Sequence, residues 1–118
     1  FGGHTDSKPR GPAAVGVDVS FESAVDIIGL AEHASGLGLG RTQFSEPYRF
    51  FNLDVFEYAL DVPMALYGAV PLVTAIHQPT SGESFASGFF FCNPSEGFVK
   101  VDSPPAGRSG NTNSWWLF

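Results

Sequence analysis

YRFFNLDVFEYAL, residues 48–60, decides between a helical and a β reading of this chain. A helix would want a Ser, Asp or Asn cap and an apolar stripe every three to four residues. The stretch is instead rich in aromatic residues and poor in helix formers, which suits a strand. Extended, it sets Asp54, Phe56 and Tyr58 on one face and Leu53, Val55 and Glu57 on the other. Carboxylates thus interleave with rings, and the interleaving continues through Asp61, Met64 and Tyr67.

Working outward, AVGVDVSF alternates cleanly, with Val15, Val17, Val19 and Phe21 on one side, and reads as a half-buried strand. VDIIGLAEH reads as a short strand running into a turn, and the glycine-rich ASGLGLGRTQFSEP as a loop. Downstream, Pro63 and Gly68 interrupt regular structure. AVPLVTAIH is an apolar strand with Pro71 near its start. QPTSGESFASG is a polar connection, and GFFFCNPSEGFVKV reads as strand, Asn-Pro turn, strand. DSPPAGRSGNTN is a loop, and SWWLF would begin another strand. Residues 1–14, full of Gly, Pro and charge, form a linker or loop, leaving a domain over residues 15–118. Five or six short strands with no convincing helix predict an all-β, antiparallel β-sandwich.

The 118 residues suffice for one small domain. Six Lys and Arg against twelve Asp and Glu give a net charge of −6, which argues against nucleic acid or an anionic membrane as partner. No apolar run approaches the roughly 18 residues of a membrane span. A single cysteine, Cys92, permits no internal disulfide. In GFFFC it reads as a small buried hydrophobe. The chain closes on four large apolar residues, Trp115 to Phe118, which need something to pack against. A piece of a longer polypeptide is therefore expected, the alternative being a tail that folds back as a closing strand.

Chemistry-bearing residues are few. Asp54 with Glu57 or Asp61 would make an acid/base pair only if they shared a face, and positions three apart on a strand do not. Glu57 and Asp61 read as solvated edge charges. Asp54 lies between aromatic and aliphatic neighbours, where a carboxylate needs a structural partner or a ligand; the residues alone leave both open. A ring beside a carboxylate suits a sugar, whose apolar face stacks while its hydroxyls donate. Phe56 or Tyr58 would be that ring, although aromatic residues in such a run read first as core. GLGLG lacks the spacing of a dinucleotide fingerprint. His4, His33 and His77 are too scattered for zinc, and no cofactor is expected. The Glu32-His33 pair reads as turn residues satisfying backbone groups.

GLAEH, PYRFFNLDVF and PMALYGAVP, in that order, resemble the N-terminal β-sandwich of glycoside hydrolase family 31 α-glucosidases. The resemblance runs from about Val15 to Val101 and is nearest to the endoplasmic-reticulum branch. It departs in loops, where QPTSGESFASG looks inserted and Asn93 to Glu96 replace the family's Asn-Ala-Ala-Glu turn. The resemblance implies a galactose-mutarotase-like sandwich whose loop reaches over the mouth of a (β/α)₈ barrel. Asp54 would there hydrogen-bond substrate hydroxyls, and Phe56 would pack against the sugar on the leaving-group side. It further implies a retaining exo-α-glucosidase that trims glucose from N-glycans in the endoplasmic-reticulum lumen, with a lectin-like β-subunit as partner. Nucleophile and acid/base would be aspartates of the barrel, in the rest of the α-glucosidase chain, so these residues alone would be silent. The competing expectation is a free-standing carbohydrate-binding module that does not cleave, and a third is a purely structural sandwich.

Overall fold

AVPLVTAIH, with Val, Thr and Ile suited to a pleated surface, forms the central strand of the larger of two antiparallel sheets. The computed structural model describes residues 16–42 and 45–102. Among them are five strands and no helix: β1 (Ala24–Ala31), β2 (Tyr48–Phe50), β3 (Ala69–His77), β4 (Phe85–Phe90) and β5 (Gly97–Val99). One sheet has the order β1-β3-β4, and the other pairs β2 with β5. Val73 of the first and Val99 of the second are completely buried. Around them Ile27, Leu30, Tyr48, Phe50 and Ala75 join the two sheets in one core. The fold is the expected antiparallel β-sandwich.

Two residues explain an irregularity between β1 and β3. The register shifts between Gly29 and Ala31, which lets the consecutive residues Leu30 and Ala31 both turn into the core. Pro71, which has no N–H for a ladder, lies opposite this shift. Its carbonyl accepts from the Phe91 N–H at 2.9 Å. Gly29 adopts φ +116°, and a Cβ there would sit 2.5 Å from the Leu72 carbonyl oxygen. Only glycine meets both conditions.

The second sheet is short because β5 runs out of partners. Phe50 pairs with Gly97; over the next three residues, β2 would need Glu96, Ser95 and Pro94 in turn. Pro94 has no N–H to give, and the Ser95 N–H is already taken by Asn93 Oδ1 at 3.0 Å. At the other end the sheet is prolonged by Thr42. Its N–H donates to the Val101 carbonyl at 2.9 Å, and its Oγ1 accepts from the Val101 N–H at 2.8 Å.

Several expectations are corrected. Residues 51–66 are irregular rather than a continuation of β2, for want of the partner just described, and Phe56 and Tyr58 are exposed rather than core. Residues 16–21 belong to none of the five strands, although Val17, Val19 and Phe21 do turn to the core. β4 starts at Phe85, inside the expected polar connection, because Phe85 pairs with His77 and stacks on its ring at 4.4 Å. Cys92 is exposed: Phe89 and Phe91 pack inward, so their alternate neighbours face out. The expected linker at 1–14, Val15, the loop after Asp102 and the strand at SWWLF lie outside the described residues.

His77 is buried and fully engaged. Its Nδ1 donates to the Glu22 carbonyl at 3.0 Å, which leaves Nε2 to accept from Ser87 Oγ at 2.7 Å. Tyr48 is likewise buried, and its Oη accepts the Gly40 N–H at 3.0 Å. Burial raises the Tyr48 phenol above its ordinary value of 10.0, with the Gly40 hydrogen bond pulling the other way.

Two outcomes follow. Gly29→Ala should lower the stability of the chain by about 3 kcal/mol or more, read as a fall in its thermal midpoint; an unchanged midpoint would contradict the close approach to Leu72. For Tyr48, the folded chain holds the phenolic proton more tightly than the unfolded one. Its contribution is therefore intact below pH 10 and is lost as pH rises through the folded value. Denaturant unfolding between pH 8 and 11 should show a decline that is shallower in Tyr48→Phe; parallel declines would contradict the assignment.

Candidate functional site

The sequence between β2 and β3 becomes a long loop because the strand ladder stops at Phe50, and the loop is then held by contacts at its base. Glu32, just past β1, makes three hydrogen bonds to the returning arm. Its N–H donates to the Gly68 carbonyl at 2.7 Å, its carbonyl accepts from Leu66 at 3.1 Å, and its Oε2 accepts from the Gly68 N–H at 2.9 Å. The two arms are joined to each other by the Leu53 N–H, which donates to the Leu66 carbonyl at 2.7 Å. Farther out, the Asp61 N–H donates to the Ala34 carbonyl at 2.9 Å. Asp61 adopts the left-handed region, at φ 61°, which Asp tolerates better than most residues.

The outgoing arm starts from an ion-pair cluster. Arg49 on β2 donates from Nε to the Glu96 carboxylate across the sheet, both side chains being well solvated. Its guanidinium lies 4.4 Å from the centre of the Phe51 ring and 5.8 Å from that of Phe98. At such exposure the ion pair is worth about 0–1 kcal/mol, and each cation–π contact about 0.5–1 kcal/mol. The cluster sets the direction in which the chain leaves β2 more than it stabilises the fold.

Along the arm the alternation foreseen for a strand persists without one. Leu53 and Val55 are half-buried, whereas Asp54 and Phe56 are exposed. Phe56 is 103% exposed, with none of the described residues covering it. Among the described residues no group pairs with the Asp54 carboxylate. The structure therefore puts both predicted sugar-binding residues at the solvent surface of one arm, one residue apart. Glu57, Tyr58, Leu60 and Val62 follow, also exposed.

Two hollows flank the loop. One, of about 400 Å³, lies between its first residues and the Asn93–Glu96 turn, lined by Phe51, Asn52, Pro71, Asn93 and Glu96 among others. The other, about 270 Å³, lies beneath the outer part of the loop, among Ser35, Arg41, Tyr48, Asp61 and Pro63. Neither is lined by Asp54 or Phe56, which project into open solvent instead. Each hollow is lined by a single carboxylate, Glu96 in the first and Asp61 in the second, while Asp54 and Phe56 offer a ligand an acceptor beside an apolar ring. Among the described residues no three His, Cys, Asp or Glu side chains converge to hold a metal ion.

Sequence reasoning anticipated that the Glu32-His33 pair would satisfy backbone groups, and Glu32 does so. Its partners at Leu66 and Gly68 are thirty-odd residues distant and carried no local signal. Tyr67 was also missed: its hydroxyl donates to the Val55 carbonyl at 2.8 Å.

Comparison with known proteins gives consistent findings. Residues 1–99 match the family model described as the glycosyl hydrolase 31 N-terminal galactose mutarotase-like domain. Neutral alpha-glucosidase AB of Homo sapiens is 45% identical over 109 residues, covering 92% of this chain and 11% of its own length. A solved glucosidase II alpha subunit, described as alpha3-Glc2-bound, superposes with a TM-score of 0.74 at 40% identity, covering 99% of this chain and 14% of that one. A heterodimeric ER glucosidase II complex, of catalytic subunit and the binding domain of the regulatory subunit, gives 0.70 at 39% identity, with 99% and 14% covered. The chain thus spans between a tenth and a seventh of the length of these relatives.

Proposed function

The chain belongs to the N-terminal galactose mutarotase-like domain family of glycosyl hydrolase 31, and on that premise we propose that it is the front segment of a retaining exo-α-glucosidase of the glucosidase II type. Its domain runs over residues 15–118, behind a linker at 1–14. Its task is to bring Asp54 and Phe56 to the substrate while the rest of the polypeptide supplies the cleaving carboxyl groups. The observation that carries the reading is the fully exposed Phe56 ring beside the unpaired Asp54 carboxylate, on a loop braced at its base.

The physical fit to a sugar is direct. Leaving a phenylalanine uncovered forgoes about 1.5–3 kcal/mol of burial. A pyranose ring packed on it recovers part of that. Asp54, when ionised, is an acceptor only, so it suits a ligand that presents hydroxyl donors. Such contacts, on the leaving-group side, orient the glucoside for attack elsewhere. A retaining mechanism needs two carboxyl groups about 5–5.5 Å apart across the scissile bond, and we assign those to the barrel that follows.

The relatives support the choice of substrate and setting. One is a glucosidase II alpha subunit in its alpha3-Glc2-bound form, another an ER glucosidase II heterodimer of catalytic subunit and the binding domain of the regulatory subunit. We accordingly assign this chain's parent to removal of α-1,3-linked glucose from N-glycans in the endoplasmic-reticulum lumen, alongside a glucosidase II β-subunit.

In the full-length polypeptide, hydrolysis of a chromogenic α-glucoside and of a glucosylated N-glycan should be compared for wild type, Asp54→Ala and Phe56→Ala. Each substitution should lower kcat/KM about tenfold or more, equivalent to about 1.4 kcal/mol of transition-state stabilisation. Unimpaired variants would overturn the reading and leave the loop a structural element.

A further inference from the structure

We propose that Tyr67 is a positioning residue for the sugar-facing pair, holding Asp54 and Phe56 in place through the backbone carbonyl between them; this rests on the reading of that pair given above. The Tyr67 hydroxyl donates to the Val55 carbonyl at 2.8 Å, crossing from the returning arm of the loop to the outgoing one. That carbonyl belongs to the peptide plane joining Val55 to Phe56. Fixing the plane fixes the direction in which Phe56 leaves the backbone and limits the rotation open to Asp54 on its other side.

The side chain is placed to transmit rigidity. Its two neighbours, Leu66 and Gly68, are the residues that Glu32 ties to the end of β1. The path from the sheet to the pair is short: Glu32 to Leu66 and Gly68, Tyr67 between them, then Val55. A parallel tie, Leu53 N–H to the Leu66 carbonyl, stops one residue short of Asp54. Beyond that tie, among the described residues, the Tyr67 hydroxyl is the hydrogen-bond donor that reaches the 54–56 stretch from across the loop.

The hydroxyl is not there to satisfy burial. Tyr67 is about half exposed, so a phenol at this place would find water as readily as a carbonyl. A Phe would serve equally well if packing alone were required. A preformed loop binds more tightly than one that must be ordered by its ligand, so the hydroxyl should act on substrate affinity rather than on the chemical step. A contact made equally in ground and transition states changes KM and leaves kcat alone.

The test is a double-mutant cycle in the full-length polypeptide, assayed on the chromogenic α-glucoside. Tyr67→Phe should raise KM about fivefold, the order expected for one hydrogen bond, with kcat within about twofold of wild type. In an Asp54→Ala background the same change should add less than it does in the wild-type background, since one of the two groups it positions is gone. If Asp54→Ala is damaging but Tyr67→Phe leaves KM unchanged, the positioning role is overturned and the sugar reading stands. A Tyr67→Phe loss that falls on kcat, or that is undiminished in the Asp54→Ala background, marks a general structural effect and also overturns it. If Asp54→Ala is itself without effect, the sugar reading fails and this inference with it.

Discussion

Glu32 is the point on which the functional surface depends. A single residue at the end of β1 closes the base of the 51–68 loop with its N–H, its carbonyl and its side chain. Each bond contributes only about 0.5–1.5 kcal/mol net. Their effect is concentrated because all three act on Leu66 and Gly68, where the loop re-enters the sheet at β3. Without that closure the returning arm would be tied to the end of β1 only through its entry into β3, and the outgoing arm leaves β2, a three-residue strand whose partner is equally short. A long loop carrying exposed aromatic residues would then sample many conformations, and an ordered sugar-facing pair would have to be assembled by the ligand.

The sheet imposes a complementary constraint. The chain leaves β2 where it does because Pro94 and the Asn93–Ser95 turn end the ladder that β2 makes with β5. Arg49, held by Glu96 and lying against Phe51, marks the exit. Site and scaffold are thus joined by two local failures of β-pairing, one at Phe51 and one opposite Pro71. In both places a residue without a ladder N–H or with an occupied one ends regular structure, and a loop or a bulge begins.

Much of the scaffold was readable in the sequence. Short apolar runs rich in β-branched residues located β1 and β3, Pro71 fell near the start of its strand, and Asn93-Pro94 marked a turn. The inward faces of Val17, Val19 and Phe21 followed from alternation even though no strand forms there. The errors share one physical origin: a strand is defined by its partner, and partners are distant in sequence. Residues 52–60 alternate as a strand does but have nothing to pair with. Phe85 lies in a polar stretch yet is drawn into β4 by His77 across the hairpin. Cys92 was read from its apolar neighbours, whereas its direction is set by the inward packing of Phe89 and Phe91. Of the site, local pattern singled out Asp54 with its role open and favoured core for Phe56; the sugar-facing role of both came from resemblance, and only the structure shows Phe56 uncovered. The partners that Glu32 and Tyr67 find across the loop are distant in sequence and left no local trace.

The central claim is that Asp54 and Phe56 meet a sugar held by the remainder of the polypeptide. A crystal structure of the full-length chain with an α-linked glucose disaccharide bound tests it most directly. The account predicts the Asp54 carboxylate within about 3 Å of a sugar hydroxyl and the Phe56 ring against the leaving-group sugar. A disaccharide bound productively with neither residue in reach would contradict it.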